Sequence, residues 1–396
     1  MNILFFADYV FEDHPGGSRV VARELARGLS AHGHAVTFLV RAKEGQPASD
    51  TAQNGSRIVR YAVPPGGARA YVRAGRDACA RLLQKESFDI AHTHFAYSAV
   101  GPLAVLPEAV PHVRSFHGPW HDEGYVEDKQ NGRGPRAYAV RQARFLLRRR
   151  IERQNLTRSR TVIVLSEHAR REVLGLRFPA GRITLVPGGA DTERFQPASK
   201  AAARAALSLP PHGPLLLSIR RLVPRMGLDT LLAAMPAILR VCPGTQLLIG
   251  GIGPEEARLR QTIRSLGLGK SVRLLGFIPD DQLAAYYQAA DLFVLPTLAL
   301  EGFGLVTTES LACGTPVLGT PVGATPELLA PLDPRLIARS PDPAGLAEAV
   351  TAFLSQEWRL TLTPDRLRAY VLDRYTWDRH SAQTEQVYAA LLSPGT

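Results

Sequence analysis

Glu301 and Glu309 flank the glycine-containing run Gly302-Phe303-Gly304-Leu305, and the stretch continues through Ser310 to Gly314-Thr315-Pro316, with Gly323-Ala324-Thr325-Pro326-Glu327 shortly after. Leu305, Glu309 and Ala312 fall on helical spacing and Gly314 and Pro316 end the segment, so the pattern predicts a carboxylate, a tight turn and a short helix. A helix start leaves backbone N–H groups without intrahelical partners, and with the positive end of the helix dipole they suit a phosphate or another anion. Helical side chains lean toward the N-terminus, so Glu309 is expected to aim its carboxylate back toward Glu301. The arrangement reads either as a ligand cradle or as a tight turn followed by a carboxylate that complements the dipole.

A second group is cationic. Arg220, Arg221 and Arg225 crowd the turn Arg220-Arg221-Leu222-Val223-Pro224-Arg225-Met226-Gly227. Guanidinium groups stay charged and offer rigid, bidentate donors, so three beside one turn suit a diphosphate; a solvated surface loop is the alternative. Gly250-Gly251-Ile252-Gly253-Pro254 is a further glycine-rich strand end. Histidines form a third group: His92 and His94 close one strand pattern, and His117, followed by Gly118, closes the next. Ligands of open parallel sheets gather at the carboxyl ends of strands, which makes His117 a candidate contact and leaves a structural reading for His92 and His94. Gly16 and Gly17 lie in Asp13-His14-Pro15-Gly16-Gly17-Ser18-Arg19, a turn before a helix that is either a phosphate or sugar cradle or a plain connection.

These residues need strands and helices to hold them. Met1–Ala7 reads as a buried first strand, Val20–His32 as a helix with Val21, Leu25 and Leu29 on one face, and Ala35–Val40 as the next strand; polar Gly45–Gly55 reads as a surface loop. Strands follow at Phe88–His94, Val113–Gly118, Thr161–Ser166 and Ile183–Pro187. The alternation restarts with strands at Leu215–Ile219, Gln246–Ile249, Val272–Leu275 and Leu292–Leu295, separated by helices at Leu228–Val241, Glu255–Leu266 and Asp281–Ala289. Strands so spaced imply parallel sheets covered on both faces, in two doubly wound α/β domains facing across a cleft. The 396-residue length supports two domains, since one core rarely organises so much chain. A last helix, Arg379–Leu392, is expected to turn Val387, Tyr388, Leu391 and Leu392 inward.

Composition narrows the class. At 45% hydrophobic and 21% charged residues the chain is an ordinary globular protein. No apolar run is long enough to span a bilayer, and the first strand lacks a basic leader and meets acidic residues at once, so a cytoplasmic protein is expected. Cys79, Cys242 and Cys313 are far apart, which supports neither a disulfide framework nor a zinc site. The net charge of +11 favours anionic partners such as nucleotides, acidic lipid or nucleic acid. Between Gly132 and Arg160 arginines interleave with Tyr138, Phe145, Leu146, Leu147 and Ile151 as a basic amphipathic helix. It reads as a patch for peripheral contact with an anionic membrane or an acidic acceptor, or as a solvated helix packed by its apolar stripe. No nucleic-acid module is recognisable, and no nucleic-acid partner is expected.

In this order and spacing the motifs resemble the family 4 retaining glycosyltransferases of the GT-B fold, over almost the whole chain. The most specific is the family's pair of glutamates with seven residues between them, here Glu301 and Glu309, set in Glu-Gly-Phe-Gly-Leu and followed by Ala-Cys-Gly-Thr-Pro-Val. Supporting it are Pro15-Gly16-Gly17, His92-Thr93-His94, Phe116-His117-Gly118, Asp191 to Pro197, the arginine turn, Gly276-Phe277-Ile278-Pro279 and Tyr375-Thr376-Trp377. The resemblance implies an acceptor-side Rossmann-like domain over 1–195, a linker over 196–213, a nucleotide-sugar domain over 214–370 and a tail over 371–396 that crosses back.

It implies roles as well. Arg221 would neutralise the donor diphosphate, beside Arg220 and Arg225, while amides near Gly302, Phe303, Gly304 and Leu305 and at Gly16 and Gly17 hold phosphate and sugar oxygens. Glu309 would grip the ribose, Glu301 the donor-sugar hydroxyls, the backbone at Phe277 and Ile278 the base, and His117 would lie between donor sugar and acceptor. Glu301, His117 and Arg221 form the expected catalytic set. The donor would be a UDP- or GDP-sugar, the acceptor a glycan, lipid or small molecule, with no cofactor and no metal. Two positions depart from the pattern: Met226 replaces the usual lysine, which removes an ammonium unless Arg225 or Arg220 substitutes, and Gly188-Gly189-Ala190 replaces Asn-Gly-Val. Rival readings are a binding or scaffold protein on the same fold, or a phosphorylase or epimerase.

Overall fold

A computed structural model describes residues 1–8, 10, 16–43, 45–128 and 134–393. The chain forms two compact units, Met1–Gly188 with Trp377–Thr396, and Gly189–Thr376. The divisions expected at 195 and 370 therefore fall at 188 and 376.

The first unit runs β1 (Asn2–Phe6), α1 (Gly17–Ala31), β2 (Ala35–Arg41), β3 (Ser49–Gln53), β4 (Ser56–Tyr61), α2 (Gly67–Leu83), β5 (Ile90–Thr93), β6 (His112–Phe116), α3 (Trp120–Asp128), α4 (Pro135–Arg158), β7 (Thr161–Val164), α5 (Glu167–Gly175) and β8 (Ile183–Leu185). Its strands lie in the order β3-β4-β2-β1-β5-β6-β7-β8, parallel except for β3. Because strand side chains alternate between faces, β1 sends Ile3 and Phe5 into one core with Leu25 and Leu29 of α1, and Leu4 and Phe6 into another with Cys79 and Leu82 of α2.

The Gly45–Gly55 loop expectation is corrected. Ser49–Gln53 is a strand, paired antiparallel with β4 so that Gln53 faces Ser56. Asn54 and Gly55 form the two-residue turn between them, both with positive φ, 51° and 77°. Asn-Gly tolerates that backbone best, and β3, at the sheet edge, pairs through backbone bonds that need no apolar pattern.

The second unit runs α6 (Lys200–Ala206), β9 (Leu215–Ile219), α7 (Leu228–Val241), β10 (Gln246–Gly250), α8 (Glu256–Ser265), β11 (Val272–Gly276), α9 (Leu283–Ala289), β12 (Leu292–Leu295), α10 (Leu305–Ala312), β13 (Val317–Gly319), α11 (Thr325–Leu329), α12 (Pro343–Ser355) and α13 (Pro364–Arg374). The parallel sheet has the order β11-β10-β9-β12-β13. Its direction of winding reverses between β9 and β12, the place where doubly wound sheets hold ligands. Residues 196–213, expected as a linker, belong to this unit. Ser199 caps α6 by accepting from the Ala202 N–H, and buried Arg204 ties the helix to the Ala289 carbonyl at 3.0 Å and the Asp291 carboxylate at 2.7 Å.

After Thr376 the chain returns to the first unit as α14 (Trp377–Leu392), which buries Trp377, His380 and Tyr388. Val387 and Leu391 pack against the core as expected, but Leu392 is exposed. None of the described helices is long and apolar enough to cross a membrane.

Candidate functional site

In the second unit the loops leaving β9 and β12 are stitched together. Leu298 N–H donates to the Arg225 carbonyl at 2.8 Å and Arg225 Nη1 to the Leu300 carbonyl at 2.9 Å. Gly227, at φ 71°, packs so closely that a Cβ there would lie 1.8 Å from the Pro296 carbonyl oxygen. Leu300 is held left-handed at φ 60°, a conformation that costs a branched residue of order 1 kcal/mol and recurs at functional sites. Glu301 follows it. Its carbonyl accepts from Ala324 N–H at 2.9 Å, and a Cβ on Gly323 would lie 2.2 Å from that oxygen.

This backbone fixes the Glu301 carboxylate, which is buried. Oε2 accepts from Arg220 Nη2 at 2.5 Å and from Thr297 Oγ1 at 2.9 Å. Breaking a buried ion pair by deleting one partner costs about 3–5 kcal/mol, so each residue locks the other. Arg220 Nη1 is buried with no hydrogen-bond partner among the described residues. Arg220 Nη2 also lies 2.8 Å from the Met226 sulfur. The guanidinium of Arg220 thus occupies the end of the Met226 side chain, where residue 226 itself carries no charge. Arg225 is also buried, and Arg221 is exposed at the surface of the turn.

Gly304, left-handed at φ 89°, starts α10, so Leu305 opens the helix as expected. Glu309 does sit one turn in, but its Oε2 accepts from Tyr287 Oη of α9 at 2.8 Å. Glu301 and Glu309 are therefore oriented by different partners. Tyr287 is fully buried, and burial followed by the Glu309 charge holds its phenol well above the usual range, so it stays a donor. Phe195 packs edge-on against Tyr287 at 5.8 Å. Asp191 Oδ1 accepts from the Glu193 and Arg194 N–H groups, and Arg368 clamps the Thr192 and Phe195 carbonyls. The Asp191–Pro197 motif is thereby a brace behind Glu309. Ile278 is buried beside Gly250, whereas Phe277 is 58% exposed.

In the first unit the histidines lie at the carboxyl ends of β5 and β6. His92 is structural: Nε2 bonds Ser115 Oγ at 2.8 Å and Nδ1 bonds Tyr388 Oη. His94 stacks between His92, 4.4 Å away, and His117, 5.7 Å away. Both nitrogens of His94 and of His117 are buried without partners among the described residues. Burial first, then neighbouring positive charge, drives His94 well below the usual histidine range and His117 down to about 3. Both rings are neutral near pH 7, each with one donor and one acceptor unspent. His94, expected to be structural, thus shares the character of His117. At the other strand end Gly16 caps α1, and its carbonyl takes the Arg19 and Val20 N–H groups at 3.2 and 3.4 Å. The N–H groups of Gly17 and Ser18 have no partner within the helix. Asp13, His14 and Pro15 of that turn, Gly132 and Arg133 of the arginine-rich stretch, and residues 129–131 before it lie outside the described residues.

The residues missing from the sequence reading are Thr297 and Tyr287, which hold the two carboxylates. Neither belongs to a local pattern; only the fold brings Tyr287 to Glu309. Among the described residues no group of three or more His, Cys, Asp or Glu is placed to hold a metal ion.

Comparison with known proteins follows the same division. Residues 15–194 match the model of Glycosyltransferase Family 4 and residues 199–371 that of Glycosyl transferases group 1. The chain is 29% identical to D-inositol 3-phosphate glycosyltransferase 2 of Catenulispora acidiphila, covering 94% of this chain and 90% of that protein. It is 28% identical to a GDP-mannose-dependent alpha-(1-6)-phosphatidylinositol monomannoside mannosyltransferase of Mycobacterium tuberculosis, covering 91% and 90%. Among solved structures, sucrose-phosphate synthase of Thermosynechococcus elongatus aligns with TM-score 0.83 at 26% identity over 99% of both chains. The catalytic domain of starch synthase IV from Arabidopsis thaliana, bound to ADP and acarbose, aligns with TM-score 0.75 at 17% identity over 99% of both chains.

Proposed function

Because the chain belongs to the family 4 glycosyltransferases, we propose that it transfers a sugar from a nucleoside-diphosphate donor to an acceptor hydroxyl with retention at the anomeric carbon. The observation that carries this reading is the buried Arg220–Glu301 pair at the foot of the glycine turn, with Arg220 Nη1 left unspent. A donor phosphate oxygen satisfies that N–H. Glu301 then receives donor-sugar hydroxyls, Glu309, oriented by Tyr287, receives the ribose, and the amides from Gly302 to Leu305 take phosphate or sugar oxygens. The diphosphate leaves with its negative charge, so fixed guanidinium groups of Arg220, Arg221 and Arg225 favour its departure.

In the first unit, Gly16 and Gly17 offer helix-start amides, and neutral His117, with His94 stacked on it, offers hydrogen bonds to hydroxyl groups. The backbone at Phe277 and Ile278 reads the base. We take the donor to be the one small molecule needed besides the acceptor. Glu301 and Glu309 are both held by hydrogen bonds to neighbouring side chains, and we take departure and attack on one face of the sugar as the preferred course.

The relatives' names set the first substrates to try: GDP-mannose as donor, with inositol 3-phosphate or a phosphatidylinositol monomannoside as acceptor; UDP-glucose is tried beside it as the other donor class expected. Transfer is measured by release of nucleoside diphosphate, with and without a chelator, and by the anomeric coupling of the product. Glu309→Ala is expected to lower turnover at least a hundredfold with an unchanged circular dichroism spectrum. Wild-type turnover in that variant would overturn the site, and an inverted product would overturn the stereochemistry.

A further inference from the structure

The hairpin of α3 and α4 is anchored at its base and unpartnered along its outer side. Glu152 of α4, fully buried, accepts from the Trp120 N–H at 3.0 Å and the His121 N–H at 3.2 Å, and also bonds the His121 ring. Phe145 packs on His121 and Tyr125, and Arg144 and Arg148 pair with Asp128. These contacts use one side of α4. On the other side Val140, Leu146 and Leu147 are 47%, 60% and 59% exposed. The apolar stripe that a solvated helix would pack inward is thus largely turned to water.

The exposed apolar residues sit among cations. Arg136, Arg149, Arg150 and Arg153 are exposed and form no ion pair among the described residues. From Pro135 to Ile151 α4 contains no acidic residue, and its first, Glu152, is buried. A face that merely needs solubility mixes both signs; this one offers leucines flanked by guanidinium groups alone. Two copies of it would repel, which disfavours self-association. The combination suits a surface with an anionic polar layer over an apolar interior: the leucines enter the acyl boundary while arginines stay with the headgroup phosphates.

We infer that the outward face of α4, centred on Leu146, Leu147, Arg149 and Arg150, docks this protein on anionic lipid bilayers. The inference does not depend on the glycosyl-transfer reading, because lipid binding is measured without turnover. Full-length protein is sedimented with phosphatidylcholine vesicles, with and without about 30 mol % phosphatidylglycerol, at low and high salt. Binding is expected only with the anionic lipid and is expected to weaken with salt. Arg149→Gln with Arg150→Gln is expected to reduce it at least about tenfold, since each arginine near such a surface contributes appreciably. Leu146→Ser with Leu147→Ser is expected to reduce it comparably and to abolish the salt-resistant fraction, with thermal stability unchanged.

Equal binding to neutral vesicles, or none to anionic ones, overturns the inference. So does binding that the arginine variant loses and the leucine variant keeps in full, or tighter binding to a duplex oligonucleotide than to vesicles; either outcome assigns the face to a polyanion without an apolar layer. A concentration-dependent dimer abolished by the leucine variant assigns it to a second copy instead.

Discussion

At the scale of single residues, one of the two departures from the family pattern, Met226, is explained by its neighbour. Met226 is buried with its sulfur 2.8 Å from Arg220 Nη2, so the cation absent from position 226 is present at the tip of its side chain, carried by Arg220. The same guanidinium holds Glu301, so in the proposed site it would couple charge for the phosphates to orientation for the sugar. Arg220→Ala should therefore lower kcat/KM by about 100-fold or more, the loss expected when a preorganised transition-state donor is removed. Met226→Lys in the Arg220→Ala background should restore at least about a tenth of wild-type kcat/KM, because the ammonium re-enters the vacated space. Steady-state kinetics with melting curves as a fold control decide it; an Arg220→Ala enzyme of normal kcat/KM would remove this residue from the donor site. The sequence marked the two glutamates and the arginine turn because each motif is local, but it did not pair Arg220 with Glu301, 81 residues away. It could not show Thr297 or Tyr287, whose hydrogen bonds to Glu301 and Glu309 arise only when β12 and α9 pack beside the turn.

At the scale of elements, β5 and β6 carry four buried imidazoles: His92 within β5, His94 just past it, His112 at the start of β6 and His117 just past its end. His112 and His117 are pushed down to about 3, chiefly by burial, and His92 and His94 also lie well below the usual value. An unfolded chain protonates these rings near pH 6.5, so below that pH the unfolded state binds more protons than the folded one. The stabilisation is complete above about pH 6.5 and is lost as pH falls toward the folded values. Each such histidine removes about 1.4 kcal/mol per pH unit. Melting temperature should thus fall steeply between pH 6.5 and 4.5. His112→Gln, which can keep a bond to Thr93 Oγ1 or Ser159 Oγ, should flatten that slope by roughly one histidine's share. Parallel slopes for variant and wild type in pH-dependent calorimetry would contradict this account. Most strands were legible because buried parallel strands are continuous apolar runs, whereas β3, β4 and β13 were not: Ser49–Gln53 has no apolar face, Ser56–Tyr61 is interrupted by two arginines and Val317–Gly319 is only three residues long. Asn54-Gly55 was the available signal for β3, a hairpin turn read as loop because the flanking residues are polar.

At the scale of the whole molecule, the two units differ in how the chain builds them. The second is contiguous, Gly189–Thr376, and contains Arg220, Tyr287, Thr297, Glu301 and Glu309 around its own sheet. The first is discontinuous and is completed by α14, whose Tyr388 is fully buried and bonds His92, whose His380 donates to the Pro187 carbonyl at 2.8 Å, and whose Ser381 packs on Gly28. Removing α14 takes away a buried Tyr and Trp and partly buried Val387 and Leu391, worth about 1.5–3 kcal/mol for each fully buried side chain. It also removes the hydrogen bond between His92 Nδ1 and the Tyr388 hydroxyl, about 1 kcal/mol more. Those losses together approach the 5–15 kcal/mol by which a domain is usually stable. A fragment of residues 189–376 should therefore fold alone and bind UDP or GDP by calorimetry, while residues 1–188 alone should show no cooperative melting until a peptide spanning 377–393 is added. A 1–188 fragment that melts cooperatively at the full-length temperature would show that α14 is an accessory. A folded 189–376 fragment that binds neither nucleotide would instead show that the residues gathered around Glu301 do not suffice for the donor.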